Sequence, residues 1–168
     1  MSVKKISTCG ILASLAMIIS LLERYVPMDL VLPGLKLGLA NIVTVYAILR
    51  IGKKEAFLIL LVRVLAVAVV SGRMSSVFFS LFGGIFAWAI MCILSKFIDN
   101  GISVTGLSIA GAAFHNTGQI LVGIVTVGNI SVISYLSYLL ILSIPVGFIT
   151  GSLLSVFMRK TKNIVLWQ

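Results

Sequence analysis

Residues 111–119 read Gly-Ala-Ala-Phe-His-Asn-Thr-Gly-Gln and lie in the middle of an apolar segment that runs from about residue 103 to 127. The stretch places the only histidine of the chain beside two carboxamides. In hydrocarbon, an unpaired amide or imidazole costs several kcal/mol. In a helix, His115 and Gln119 lie one turn apart on one face, and Asn116 flanks them. The stretch therefore predicts a helix whose polar face is turned towards other helices or a water-filled cavity.

The composition of the whole chain indicates an integral membrane protein. Sixty per cent of the 168 residues are hydrophobic and only ten per cent are charged, which lies far outside the range of soluble domains. A transmembrane helix needs roughly 20 residues, so six of them would use about 120 and leave short connections. We predict an all-α, polytopic membrane protein whose single domain of six transmembrane helices covers residues 1–168.

The apolar runs divide the chain into six predicted spans at about 6–22, 37–51, 55–71, 77–95, 103–127 and 132–158. The connection from Glu23 to Lys36 contains two prolines and is predicted to be a structured loop or a short re-entrant piece. In the sixth span, the four-residue spacing of Gly147 and Gly151 favours close helix packing.

The distribution of basic residues predicts the orientation of the spans. With the N-terminus inside, the inner segments hold nine basic residues and the outer segments hold three, namely Arg24, Lys36 and Arg73. Lys and Arg are enriched in cytoplasmic loops. We therefore expect both termini in the cytoplasm, and the formal charge of +9 reflects topology rather than binding to nucleic acid.

Arg63 is predicted to lie near the centre of the third span, where a guanidinium is costly unless it faces polar partners. It could bind a carboxylate or phosphate of a substrate, because its planar fork matches such oxyanions. It could equally pair with Glu23 or with carbonyl groups at broken helix ends. Two further polar residues, Lys36 and Asn41, follow the proline-rich connection. Lys36 either extends to the membrane surface or contacts an anionic ligand.

The polar cluster has two interpretations as well. His115, Asn116 and Gln119 could contact a ligand, or they could form an interhelical hydrogen-bond network that holds the fifth helix in register. Taken together, the residue types predict an outward-opening pocket built from the segment 23–41, from Arg63 or Arg73, and from this cluster.

Four features resemble one known family. They are the stretch Pro33-Gly34-Leu35-Lys36-Leu37-Gly38-Leu39-Ala40-Asn41, the stretch 111–119, the sequence Ser20-Leu21-Leu22-Glu23 and Arg63. Across almost the whole chain, these features resemble the bacterial Gx transporter family, which is also labelled heptaprenyl diphosphate synthase component I. That family is in turn similar to the substrate-binding S components of energy-coupling factor transporters, which are six-helix proteins that capture vitamins or related nutrients.

The resemblance implies a function and a set of partners. It implies that the protein lies in the bacterial cell membrane, binds a small molecule, and works with a transmembrane coupling subunit and two cytoplasmic ATPases. Many S components dock that subunit through an alanine-x-x-x-alanine pattern on the first helix. Here Ala13 and Ala16 are three residues apart, whereas Gly10 and Ser14 have the four-residue spacing. We expect Gly10, Ala13 and Ser14 to form the docking face.

An enzyme is the less favoured interpretation. Prenyl chain elongation needs aspartate-rich segments that hold magnesium against a diphosphate, and this sequence has two aspartates, Asp29 and Asp99, on opposite predicted sides. The lone histidine has no acid near it in sequence, and Cys9 and Cys92 lack metal-ligand spacing. We predict neither catalysis nor a cofactor nor a metal. A membrane-bound auxiliary subunit of a polyprenyl diphosphate synthase remains the alternative.

Overall fold

The computed structural model describes residues 3–25, 36–72 and 75–161 and shows an all-helical protein. Six α-helices follow one another along these residues, and short 3-10 helices occur at Glu23–Tyr25, Ser95–Asn100 and Ile130–Ile133. The α-helices are α1 at Val3–Leu22, α2 at Asn41–Arg50, α3 at Lys53–Ser71, α4 at Ser75–Leu94, α5 at Val104–Val127 and α6 at Ser134–Lys160.

Three helical segments among the described residues are long and apolar enough to cross a membrane. They are Val3–Leu22, Ser76–Ile98 and Ile130–Lys160. These segments support the predicted membrane-protein class. The other helices are interrupted by polar groups or are short, since α3 contains Arg63 and α5 contains the 111–119 cluster. Six spans and cytoplasmic termini stay predictions.

The second helix is shorter than the span predicted at residues 37–51, because it begins only at Asn41. Its ten residues rise about 15 Å, roughly half of the hydrocarbon thickness. Residues 36–40, which come just before it, are not helical, and Gly38 has a φ of +79°, a left-handed conformation that favours glycine. We call Lys36–Ala40 the approach segment. It brings irregular backbone into the helix bundle.

One end of the bundle carries several basic side chains that contact neighbouring helices. We call it the basic end, and its contacts are Lys5 Nζ to Glu55 Oε1 at 2.5 Å, Lys53 Nζ to the Cys92 carbonyl at 2.7 Å and Arg50 Nη2 to the Met158 carbonyl at 3.4 Å. These contacts place the starts of α1 and α3 beside the ends of α2, α4 and α6. Helices α1 to α4 therefore alternate in direction, and α6 runs in the same direction as α2 and α4.

Glycines allow α5 to approach both of its neighbours closely. A methyl group at Gly118 would lie 2.7 Å from the Phe82 carbonyl oxygen of α4, and one at Gly151 would lie 2.6 Å from Thr105 Cα of α5. At Gly147, a methyl group would overlap the backbone of Ile109. The predicted close packing at Gly147 and Gly151 is confirmed. Small residues take this role because lipid supplies no hydrophobic driving force between helices.

Candidate functional site

A polar cavity lies between α1, α3, α4, α5 and the approach segment. Nine residues line it: Ser20, Glu23, Lys36, Gly38, Arg63, Val64, Val67, Ser80 and His115. Arg63, Glu23 and His115 are only 4%, 6% and 2% exposed. Ionisable side chains that are buried this completely are rare in membrane proteins and usually functional, so this cavity is a candidate functional site.

The cavity is small in this conformation. It offers about 10 Å³ to the centre of a water-sized probe, which is room for roughly one water molecule. A larger ligand therefore requires a wall to move, and the approach segment is the wall that is not part of a helix.

The approach segment is held by side chains that replace the hydrogen bonds of a helix. The Gln119 carboxamide accepts from the Lys36 backbone N–H at 2.8 Å and donates to the Lys36 carbonyl at 2.9 Å. The Glu23 carboxylate accepts from the Leu39 N–H, just before the positive end of α2. Irregular backbone at membrane depth is tolerated only where such partners exist. Gln119 and Glu23 thus have clear structural roles.

His115 is enclosed between two glycines. A methyl group at Gly38 would lie 2.8 Å from His115 Cδ2, and one at Gly83 would lie 2.9 Å from both Cε1 and Nδ1. Any larger residue at either position would displace the ring. Neither His115 nitrogen has a well-aligned hydrogen-bond partner among the described residues, although the backbone of Gly83 lies close to the ring. A neutral imidazole offers one donor and one acceptor, so this ring has capacity for a bound molecule or water.

Arg63 and Lys36 supply positive charge to the cavity. Glu23 interacts electrostatically with both of them. No carboxylate of the described residues lies within 4 Å of the Arg63 guanidinium. The ion pair found within that distance among these residues joins Lys5 and Glu55. Lys36 Nζ donates to Ser80 Oγ at 2.8 Å. Arg63 therefore faces the cavity without a close ion pair from the described chain.

The two asparagines of the predicted site lie outside the cavity lining. Asn116 Nδ2 donates to the Leu139 carbonyl of α6 at 2.9 Å, which ties α5 to α6. Asn41 is buried beside Gly38, and neither polar atom of its side chain has a hydrogen-bond partner among the described residues. Asn41 is thus close to the site without forming its wall.

The structure brings four of the seven predicted site residues together, namely Glu23, Lys36, Arg63 and His115. Gln119 reaches the same place indirectly through the backbone of Lys36. Arg73 and the stretch from Pro27 to Pro33 lie outside the described residues. Ser80 was missed, because a serine in an apolar helix gives no sequence signal without knowledge of which face it occupies.

The three residues predicted to dock a coupling subunit differ in their exposure on α1. Gly10 and Ser14 are exposed, whereas Ala13 is buried and packs in the core with residues such as Ala16 and Val45. Ser14 Oγ also donates to the Gly10 carbonyl at 3.0 Å. An exposed docking face would thus comprise Gly10 and Ser14, and the docking itself stays a prediction.

The described residues also bear on two other types of site, a metal site and an apolar groove. They contain no group of three His, Cys, Asp or Glu side chains that could hold a metal ion. An open groove of about 430 Å³ lies on the outer surface of α4 and α5. Its walls are almost entirely apolar and include Phe78, Phe82, Phe86, Leu121 and Val125. This surface suits lipid chains.

Comparison with known proteins gives one match. A family model described as heptaprenyl diphosphate synthase component I matches residues 12–157. No curated protein and no solved structure matches the chain.

Proposed function

The chain belongs to the heptaprenyl diphosphate synthase component I family, and from this premise we propose that it is the substrate-binding membrane component of a transporter. Its substrate would be a small organic nutrient or precursor, bound in the polar cavity. The family description names a component of a synthase and leaves the role of this component to be determined from its chemistry.

The observation that carries the proposal is the buried polar cavity with unused binding capacity. Arg63 and His115 are almost fully buried, they line the same cavity, and neither His115 nitrogen has a well-aligned hydrogen-bond partner among the described residues. Burying such groups is costly. A purely structural core of this size would be more stable with apolar residues there, so a bound polar molecule is a physical reason to keep them.

The approach segment provides an entry route. Its bonds to Gln119, Glu23 and Ser80 involve side chains of these residues, so breaking them would not unwind a helix. Ligand entry would displace this segment, and its return would enclose the ligand. The cavity lies away from the basic end, and the positive-inside rule then places its opening on the outer side of a bacterial plasma membrane.

Energy for transport would come from partner proteins. The sequence has no Gly-x-x-x-x-Gly-Lys-Ser/Thr motif, whose backbone would cradle nucleotide phosphates. We propose a transmembrane coupling subunit with two cytoplasmic ATPases as partners, and Gly10 and Ser14 as part of the docking face.

A second candidate function is a membrane-bound auxiliary subunit of a polyprenyl diphosphate synthase. The family description favours it, and the apolar groove on α4 and α5 offers a surface for a prenyl chain. The chain itself would not elongate the prenyl product, because it has only two aspartates and diphosphate chemistry needs several to hold magnesium.

Native mass spectrometry of the gently purified protein separates these functions. A co-purified small metabolite together with a coupling subunit and ATPases supports the transporter component. A stable complex with a soluble prenyl synthase and no small ligand contradicts it and supports the auxiliary subunit.

Two variants make the assignment of the cavity specific. His115→Ala should lose the co-purified metabolite, because it removes a ring whose nitrogens face the cavity without a well-aligned partner among the described residues. Ser134→Ala should retain it, because Ser134 is exposed, lines neither the cavity nor the groove, and its hydroxyl donates to the nearby Ser131 carbonyl. Equal metabolite content in both variants would place the ligand elsewhere.

A further inference from the structure

Two buried polar side chains at the polar cavity are left without good hydrogen bonds. Asn41 is 4% exposed and His115 is 2% exposed. Neither polar atom of the Asn41 side chain has a hydrogen-bond partner among the described residues, and neither His115 nitrogen has a well-aligned one. In the described part of the chain, four of the five buried side-chain nitrogen and oxygen atoms in this condition belong to these two residues. Unpaired buried groups are costly, so their concentration at one place calls for a partner.

The two side chains flank one point of the approach segment, the position of Gly38. A methyl group at Gly38 would lie 2.8 Å from His115 Cδ2 and 3.0 Å from Asn41 Nδ2. Gly38 and His115 line the cavity, whereas Asn41 does not. Displacement of the approach segment by a ligand would therefore open the space at Gly38 to the imidazole and the carboxamide together.

A local structural role does not account for the Asn41 side chain. An asparagine near the start of a helix usually caps the first turn by accepting from a backbone N–H. Here Asn41 is the first residue of α2, Ala40 is the N-cap, and the N-cap makes no side-chain hydrogen bond. The Asn41 backbone N–H donates to the Gly38 carbonyl at 2.9 Å, a bond that any residue other than proline could make. The carboxamide is thus available to a group outside the described chain.

We propose that the ligand presents an uncharged amide-type edge, an N–H beside a C=O, to Asn41 and His115 at the position that Gly38 holds in this structure. The inference rests on the proposed ligand-binding function and names the substrate class as a lactam, an imide or an open-chain amide. A carboxamide carries donors and an acceptor side by side. An N–H beside a C=O complements both, whereas an anion only accepts and would leave the Asn41 oxygen unpaired.

The space at Gly38 also suits such a group in shape. Gly38 itself places planar peptide units there, and they lie against a flat imidazole ring that Gly83 encloses from the other side. A flat amide edge that replaces this backbone would need no displacement of α4 or α5. His115 would complete the recognition, because a neutral imidazole offers one donor and one acceptor.

Small rings of similar size test the proposal. The full chain is placed in nanodiscs of neutral lipid, and its thermal unfolding is followed during titration with γ-butyrolactam. In γ-butyrolactone an oxygen replaces the N–H, and cyclopentanol offers a hydroxyl on a similar ring. A ligand that binds only the folded state raises the unfolding midpoint in a saturable way. The lactam should do so, and the lactone should bind at least about threefold more weakly, because it leaves the Asn41 oxygen unpaired.

Three asparagine variants locate the binding site. Asn41→Ala should raise the apparent Kd of the lactam by at least about fivefold, because two hydrogen bonds are lost. Asn129→Ala is the matched control and should leave the Kd unchanged, since Asn129 is exposed and accepts from the Ser131 N–H between α5 and α6. Without a probe, Asn41→Ala should lower the unfolding midpoint less than Asn116→Ala, which also loses the bond to the Leu139 carbonyl.

The comparison of lactam with lactone uses the wild type alone, so it is decisive even where Asn41→Ala does not fold. No saturable stabilisation by the lactam would indicate that water satisfies these groups and would overturn the proposal. Equal binding of the lactone, stronger binding of cyclopentanol or an unchanged Kd in Asn41→Ala would overturn it as well. So would a larger loss of stability in Asn41→Ala than in Asn116→Ala.

A failure of this proposal is distinguishable from a failure of the proposed function. If the purified protein carries a metabolite without an amide-type edge, and its retention requires His115 but not Asn41, the transporter function stands and the substrate class is wrong. If the protein carries no metabolite and purifies with a soluble synthase, the proposed function itself is wrong.

Discussion

Replacing Gln119 with leucine removes its two hydrogen bonds to the Lys36 backbone, at 2.8 and 2.9 Å. Gln119 is fully buried, so leucine of similar size takes its place but offers no hydrogen bond to the Lys36 N–H or carbonyl. Hydrogen bonds measured in membrane proteins average about 0.6 kcal/mol each, whereas an orphaned buried group costs about 1–3 kcal/mol. For two fully buried groups this cost would sum to about 2–6 kcal/mol. Because the bonds to Lys36 are only partly buried, we expect a loss near the lower end, about 2–3 kcal/mol, in the free energy of unfolding.

The measurement is reversible unfolding by sodium dodecyl sulfate in mixed micelles, followed by circular dichroism. Asn116→Leu provides a graded comparison, because it removes one interhelical bond, to the Leu139 carbonyl, and should cost about half as much. Thr126→Val is the control and should change stability by less than about 0.5 kcal/mol, as for exposed substitutions. If Gln119→Leu is no more destabilising than the control, the approach segment is not held by Gln119.

Three further predictions concern packing, topology and an ion pair. Gly147→Ala should destabilise the protein by about 1–3 kcal/mol through overpacking against α5, whereas Gly10→Ala, which meets no atom within 4 Å, should be neutral or stabilising; equal effects in the same unfolding assay would contradict the helix crossing. Lys54→Cys and Ser131→Cys, each in a background with both native cysteines replaced by alanine, should react with an impermeant maleimide from opposite sides of the membrane, and labelling from one side would contradict the alternating helices. Glu55→Gln should cost at most about 1 kcal/mol despite the 2.5 Å contact, because partly exposed ion pairs stabilise little; a larger loss would indicate a buried network.

The helices could be predicted from the sequence because apolar runs and glycine spacing act locally. The 111–119 stretch and Gly147 with Gly151 each specify one face of one helix, and the structure places both faces against neighbouring helices. The start of α2 could not be predicted, because residues 37–40 are as apolar as the residues of a membrane-spanning helix. Their non-helical path depends on a carboxamide and a carboxylate that are distant in sequence.

The candidate site was only partly predictable for a related reason. Polar residues in apolar segments are visible from the sequence, and four of them meet in the cavity. Which of them already forms a hydrogen bond within the protein depends on contacts in three dimensions. From the sequence, Asn116 and His115 are equally good candidates for ligand contact, because they are neighbours in one polar stretch. In the structure, the Asn116 amide donates to the Leu139 carbonyl, whereas neither His115 nitrogen has a well-aligned partner among the described residues.

Some polar residues hold the approach segment and others face the cavity, and this difference affects how loss-of-function data should be interpreted. Gln119 and Glu23 satisfy the backbone of the approach segment, so their removal would impair uptake through the position of that segment, without any loss of a ligand contact. Arg63 and His115 make no hydrogen bond to the described backbone of the approach segment. A variant at either should therefore lose ligand affinity out of proportion to its loss of stability, whereas Gln119→Leu should lose both together. Uptake measurements alone cannot distinguish residues that bind the ligand from residues that hold the approach segment. The ratio of the loss in ligand affinity to the loss in stability can.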